Sequence, residues 1–192
     1  MDRRAPRRAE RRLTPQAPTD RTVRSGDQAW DMEKLALFFV VLAGVLVLDV
    51  STKLMVQQNF HLYQQVDIVG EYLRLTYIYN PGAAFGIQLG EYSREIFLVL
   101  SLVALAALAA MYWFTPAGDR VRLLAIALIC GGAVGNLIDR IRSEAGVVDF
   151  IDIGVGDIRW PVFNVADMAV TTGAIILALS LWREEQGGGD VA

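Results

Sequence analysis

Four apolar stretches set what this chain can become. They cover residues 35–48, 96–114, 123–138 and 168–182. A helix needs about 20 residues, or about 17 at the short end, to cross a bilayer. The second stretch reaches that length by itself. The others reach it with their polar flanks, over 30–53, 123–140 and 161–182. Four such stretches in 192 residues, with 54% hydrophobic residues overall, leave too little polar sequence to wrap four buried helices in a soluble protein. The expected fold is integral membrane and mainly α: a four-transmembrane-helix bundle.

The segments between the spans carry their own signals. Residues 71–79 (EYLRLTYIY) are β-rich and partly alternating, and residues 146–153 also read as extended, so a small β-sheet is expected at one end of the bundle. Residues 115–122 (TPAGDRVR) form a Pro/Gly turn suited to an antiparallel helix pair. Residues 1–29 lack an apolar period and hold eight arginines by Arg24, which predicts an unstructured Arg-rich cytoplasmic tail. Residues 30–183 form the membrane domain, and 184–192 read as a flexible end. The first apolar run is expected to stay as a span. It lies far from the start, and its flank, DVSTK, has no small-x-small cleavage pattern.

With four spans, both termini lie on one side. Placing them in the cytoplasm puts twelve Lys/Arg inside and six outside. Six of the twelve, between Arg3 and Arg12, stand too far from a span to count, and the remainder tie. Discounting Lys53 and Arg140 as site residues tips the balance toward cytoplasmic termini. The chain path then brings Asp49, Lys53, Asn80, Asn136, Asp139, Arg140, Asp149, Asn164 and Asp167 to the far side together.

These polar residues border hydrophobic runs, where a charge costs about 2.5–3.5 kcal/mol on insertion scales. Asn136, Asp139 and Arg140 follow i, i+3, i+4 spacing and share a helix face, as do Asp49 and Lys53. Asn164 and Asp167 share one if the last span starts near Pro161. Gly131, Gly132 and Gly135 permit close helix approach. With one histidine, His61, and one cysteine, Cys130, a His/Cys zinc site and an intrachain disulfide are not expected, and serine or thiol catalysis would need His61 as its base. Carboxylates, amides and a few cations remain. Two carboxylates held together cannot both ionise easily, and such a pair can hydrolyse a peptide with no metal or cofactor. The candidates are Asp49, Asp139, Asp149, Asp152 and Asp167. Asp49 has Lys53 beside it and Asp139 has Arg140, so both read as salt-bridged. Asp149 and Asp167 have apolar neighbours and no adjacent cation. A plainer role stays open for these two, as caps of a loop and a helix start. An ion transporter and a non-catalytic scaffold are the other classes that buried acids allow.

Five blocks resemble the bacterial lipoprotein signal peptidase (signal peptidase II, prolipoprotein signal peptidase) family, in that family's order. They are DVSTK (49–53), NPGAAFG (80–86), GGAVGNLIDR (131–140), VVDF (147–150) and FNVAD (163–167). The resemblance implies a four-helix membrane aspartic endopeptidase with a small extracytoplasmic sheet, at work in the bacterial inner membrane. It implies that Asp149 and Asp167 are catalytic. Asn80, Gly82, Asn136, Asp139, Arg140 and Asn164 would support the site, and Asp49 and Lys53 would organise it. It implies diacylglyceryl-modified prolipoprotein substrates cut just before the lipidated cysteine, membrane lipid as surroundings, no nucleic acid, no cofactor or metal, and a monomer. The loop 80–86 is expected to close over the substrate. Two departures stand out: the Arg-rich tail, and Met168 where many relatives carry a small polar residue.

Overall fold

The computed structural model describes residues 21–82, 90 and 92–188. Helix α1 spans Arg21–Asn59, strands β1 and β2 span Gln65–Val69 and Leu73–Asn80, and α2 spans Ser93–Phe114. Then come α3 (Arg120–Arg142), β3 (Val147–Val155), β4 (Ile158–Arg159) and α4 (Val165–Gly188). Each helix contains a segment long and apolar enough to cross a membrane: Met32–Asn59, Ser93–Phe114, Arg120–Arg142 and Val165–Gln186.

Helix α3 is the hub, packed against α1, α2 and α4. Its inner face buries Leu123, Ile126, Ala127 and Cys130, and Phe38, Leu42 and Leu105 close around them. The other helices turn Val40, Val47, Val99, Val103 and Ile175 outward, as expected where the solvent is lipid. Glycine sets how close α3 and α4 come. A Cβ on Gly132 would collide with the Ala166 carbonyl oxygen and stand 2.7 Å from a methyl of Val170.

Two of the tail expectations change. α1 begins at Arg21, so residues 21–29, read as tail, are helical; residues 1–20 lie outside the described residues. Likewise α4 runs to Gly188, into the stretch read as flexible from 184, and 189–192 lie outside the described residues. Extending an existing helix costs far less than starting one, so these polar residues join it even across Gly26 and Gly187. At the 115–119 turn, Asp119 caps α3 by accepting the Arg122 backbone N–H (3.0 Å). Lys34 of α1 donates to the Thr115 carbonyl (2.7 Å), one that the end of α2 leaves free.

The other end of the bundle carries an antiparallel sheet of order β1-β2-β3-β4. β2 and β3 occupy the two stretches that read as extended. β1 and β4 were not foreseen. Val148, Phe150 and Tyr77 of the sheet pack on Val56 near the end of α1, which fixes the sheet to the bundle. The β2–β3 register shifts between Leu75 and Ile78, an irregularity of the kind that re-aims side chains near functional sites.

Substituting Gly132→Val should lower the melting temperature in detergent, by overpacking worth about 1–3 kcal/mol. Gly44→Ala, at a helical site with nothing within 4 Å of the added methyl, should leave it unchanged or raise it. Thermal unfolding of the two variants beside wild type makes the comparison.

Candidate active site

The polar residues meet where the sheet joins the bundle, and the innermost layer is a buried cation. Lys53 Nζ lies 2.8 Å from Asp49 Oδ2, 2.8 Å from Asp139 Oδ2 and 3.0 Å from Asn136 Oδ1. Lys53 is 3% exposed and Asp49 is fully buried. An ammonium has three donors, and all three are used. Asp139 was expected to pair with Arg140. Its partner is Lys53 instead, because adjacent helical residues point in different directions. Asp139 also accepts the Val148 N–H (3.3 Å), which ties the end of α3 to β3. Asp49 reaches the other way. Its Oδ1 accepts the Ala166 N–H (3.0 Å), one of the amide groups that the start of α4 leaves unpaired. Gly135 makes room for this contact; a Cβ there would lie 2.5 Å from Asp49 Oδ2.

The next layer is a chain of amides. Asn136 accepts from Lys53 and donates to Asp167 Oδ1 (2.8 Å). Asn164 and Asp167 close the start of α4 reciprocally: Asn164 Oδ1 accepts the Asp167 N–H (3.0 Å), and Asp167 Oδ2 accepts the Asn164 N–H (3.1 Å). This is a capping box with aspartate in the third position. Asn164 Nδ2 serves three acceptors: Asp149 Oδ1 at 2.7 Å, Asn136 Oδ1 at 3.1 Å and the Val148 carbonyl at 3.3 Å. Asp149 Oδ2 accepts from Asn80 Nδ2 (2.9 Å), and the Asn80 Oδ1 takes the Gly82 N–H (3.0 Å). Gly82 sits at φ +126°, a conformation that side chains rarely adopt.

Asp149 and Asp167 are thus bound to the same asparagine, one through its side chain and the other through its backbone. Both line a cavity of about 770 Å³ together with Asn80, Asn136 and Arg140. Its other walls are mostly apolar and include Phe97, Val147, Trp160, Phe163, Met168 and Val170. The Arg140 guanidinium lies over the Phe97 ring, 5.7 Å from its centre. The Asp149 carboxyl is pushed up from 3.8 to about 7, first by burial and then by the negative charge of Asp167; hydrogen bonds from Asn80 and Asn164 oppose the shift.

Of the five candidate acids, Asp49 and Asp139 flank Lys53, and Asp149 and Asp167 face the cavity. Asp152 belongs elsewhere. It points to the opposite face of β3, three residues on, and pairs with Arg159 (2.8 Å). Sequence reasoning missed Arg94, whose Nε donates to the Arg140 carbonyl (2.9 Å) and so holds α2 to the last turns of α3. It also missed the wall from Trp160 to Phe163. The pairing of an aromatic with Pro161 just ahead of a span was the available signal. The loop 80–86 is described only at Asn80, Pro81 and Gly82, so its expected closure falls largely outside the described residues.

The sequence profile described as Signal peptidase (SPase) II matches residues 41–183. The chain belongs to the signal peptidase II family. It is 40% identical over 151 residues to the lipoprotein signal peptidase of Geobacter metallireducens, covering 78% of this chain and 93% of that one. It is 42% identical over 152 residues to that of Moorella thermoacetica, covering 78% and 97%. A bacterial membrane enzyme solved by the in meso method superposes with a TM-score of 0.70 at 28% identity, covering 78% of this chain and 90% of that one. A second such structure gives 0.66 at 29% identity, covering 75% and 91%. Membership makes this signal peptidase II homologue a membrane-embedded peptidase of the aspartic type rather than a transporter or a scaffold.

Lys53→Met would leave Asp49 buried, and Asp139 half-buried, without the cation they share. Removing one partner of a buried ion pair costs about 3–5 kcal/mol. The variant should therefore lose most of its stability in detergent, as read by thermal unfolding, whereas Arg94→Gln, which gives up the bond to the Arg140 carbonyl and a surface pair with Glu95, should lose only about 1–2 kcal/mol.

Proposed function

We propose that the chain removes the signal peptide from diacylglyceryl-modified prolipoproteins by hydrolysing the bond just before the lipidated cysteine, with Asp149 and Asp167 as the catalytic pair. The observation that carries this reading is the meeting of two carboxylates on one asparagine in one largely apolar cavity, with the Asp149 carboxyl raised to about 7. The substrate class rests on family membership and on relatives named lipoprotein signal peptidase.

In the proposed mechanism the pair holds one proton near neutral pH, and burial favours Asp149 as its holder. Asp167, ionised, takes a proton from water as that water attacks the carbonyl carbon. Asp149 gives the carbonyl oxygen a hydrogen bond as negative charge develops there, and Arg140 adds its positive charge on the same side. On collapse, the proton on Asp167 passes to the leaving amine, the C–N bond breaks, and Asp149 keeps its proton. Asn136, Asn164 and Asn80 hold the two carboxylates in place. Asp49, Lys53 and Asp139 keep the three helices in register beneath them. Gly82 lets the chain turn tightly beside Asn80.

The charge distribution supports cytoplasmic termini and a site near the extracytoplasmic face of the bacterial inner membrane. The signal helix would enter from the lipid, leaving its diacylglyceryl group in the bilayer. We read the peptidase as a monomer, since a single chain supplies both carboxylates of the proposed pair. Nothing in the mechanism calls for a cofactor or for nucleic acid.

Asp149→Asn and Asp167→Asn should each lower cleavage of a diacylglyceryl-modified prolipoprotein by about a thousandfold or more. Both variants should remain folded, and turnover by either at more than a few per cent of wild type would defeat the assignment. The pH dependence has a definite sign. Between 3.8 and about 7 the folded protein keeps a proton on Asp149 that the unfolded chain has released. Stability therefore falls as pH rises through that window and levels off above it. Melting temperatures of wild type and Asp149→Asn from pH 4 to 8 should diverge accordingly, with the flatter profile in the variant. The cleavage rate of wild type should fall by about tenfold per pH unit on the alkaline side, as the pair loses its shared proton.

A further inference from the structure

The wall of the cavity is fastened at both ends, and only one fastening belongs to the site described above. Residues 160–163 run beside β3, joined to it by backbone hydrogen bonds and a single antiparallel bridge between Phe163 and Ile151. The Trp160 N–H donates to the Ile153 carbonyl (2.8 Å), the Phe163 N–H to the Ile151 carbonyl (3.0 Å), and the Phe163 carbonyl accepts from Phe150 (3.0 Å) and Ile151 (2.8 Å). All four residues line the cavity. Downstream stands Asn164, bound to Asp149. Upstream stands Arg159, and its guanidinium is spent almost wholly on the sheet. Nε donates to Asp152 Oδ1 (2.8 Å), Nη2 to the Asp152 carbonyl (3.0 Å) and Nη1 to the Glu71 carbonyl (2.6 Å).

Asp152 is built to receive it. Its side chain is 7% exposed, and its second oxygen accepts from Thr76 Oγ1 (2.9 Å), so neither oxygen is left without a partner. Its cross-strand neighbour Arg74 is paired outward to Asp67 (2.9 Å), which makes a row of alternating charge across all four strands. The approach of β4 to β3 requires Gly154: a Cβ there would lie 2.8 Å from the Arg159 Cα. A buried ion pair is a poor source of net stability, but it permits only one arrangement of the elements it joins.

We propose that Asp152 and Arg159 are a positioning pair for the peptidase. They set the wall of residues 160–163 against which the substrate chain lies, and they act on the reaction through that wall rather than by touching the reacting atoms. The inference rests on the peptidase reading above. If wild type itself fails to cleave a diacylglyceryl-modified prolipoprotein, that reading falls first. Wild-type cleavage with an unmoved KM in the variants defeats this inference alone.

The test is steady-state cleavage by the full chain in detergent, with each preparation's folded fraction measured by thermal unfolding. Arg159→Gln breaks the ion pair, and the double variant Asp152→Asn with Arg159→Gln breaks it without stranding a buried charge. Both should raise KM by about tenfold while kcat stays within about threefold of wild type, since a shift of about 1 Å in a positioning surface is felt strongly. Arg159→Lys, which keeps the charge, should recover most of the KM. Thr76→Val, which frees one oxygen of Asp152 and changes no charge, should move KM in the same direction by about two- to threefold. A purely structural role predicts the opposite split: fewer active molecules, hence a lower apparent kcat at unchanged KM. That result in Thr76→Val or in the double variant overturns the proposal.

Discussion

Lys53 carries an ammonium group to a place with almost no water, and the rest of the site is arranged around making that tolerable. Three helices contribute to its neutralisation or depend on it. Asp49 comes from α1, Asp139 and Asn136 from α3, and α4 hangs from Asp49 through the Ala166 amide. Helices in a bilayer gain little from hiding apolar surface, because lipid tails are as apolar as leucine. Packing and polar contacts must then decide their register. A buried cation with three defined partners does so with less ambiguity than any number of leucines.

The layers outward from Lys53 become steadily more chemical. Asn136 joins the ammonium to Asp167, and Asn164 joins Asp167 to Asp149. The two carboxylates end in different kinds of local structure. Asp149 lies on a strand, buried, and receives amide groups from two asparagine side chains. Asp167 lies in the first turn of a helix and takes one backbone and one side-chain donor. Such unlike settings are what allow two identical side chains to hold their protons differently.

How much of this could be read from the chain follows from which constraints are one-dimensional. Span length is one, so all four spanning helices were legible, although the polar extension of α1 back to Arg21 and of α4 to Gly188 was not: neither carries an apolar run. Strands β2 and β3 showed themselves by β-rich, extended runs. β1 is short and exposed along its length, and β4 has two residues, so only pairing defines them. Spacing grouped Asn136 with Asp139, and Asn164 with Asp167. It could not say which cation Asp139 would meet, because Lys53 is far away in sequence and Arg140 is adjacent. The Asp152–Arg159 pair was hidden because only the pairing of β3 with β4 brings the two side chains together. Its acid looked like one more candidate until the pleat sent it to the other face of β3.

The capping box at the start of α4 gives Asp167 two duties. The same carboxylate that faces the cavity also closes the first turn by taking the Asn164 N–H. A group that accepts a proton during the proposed reaction becomes a poorer hydrogen-bond acceptor for as long as it holds it. If Asp167 takes that proton as proposed, the onset of α4 slackens and tightens once per turnover. With it moves Asn164, the only residue bound to both acids among the described contacts. Proton transfer and helix fraying, which are usually treated as separate events, here draw on one side chain.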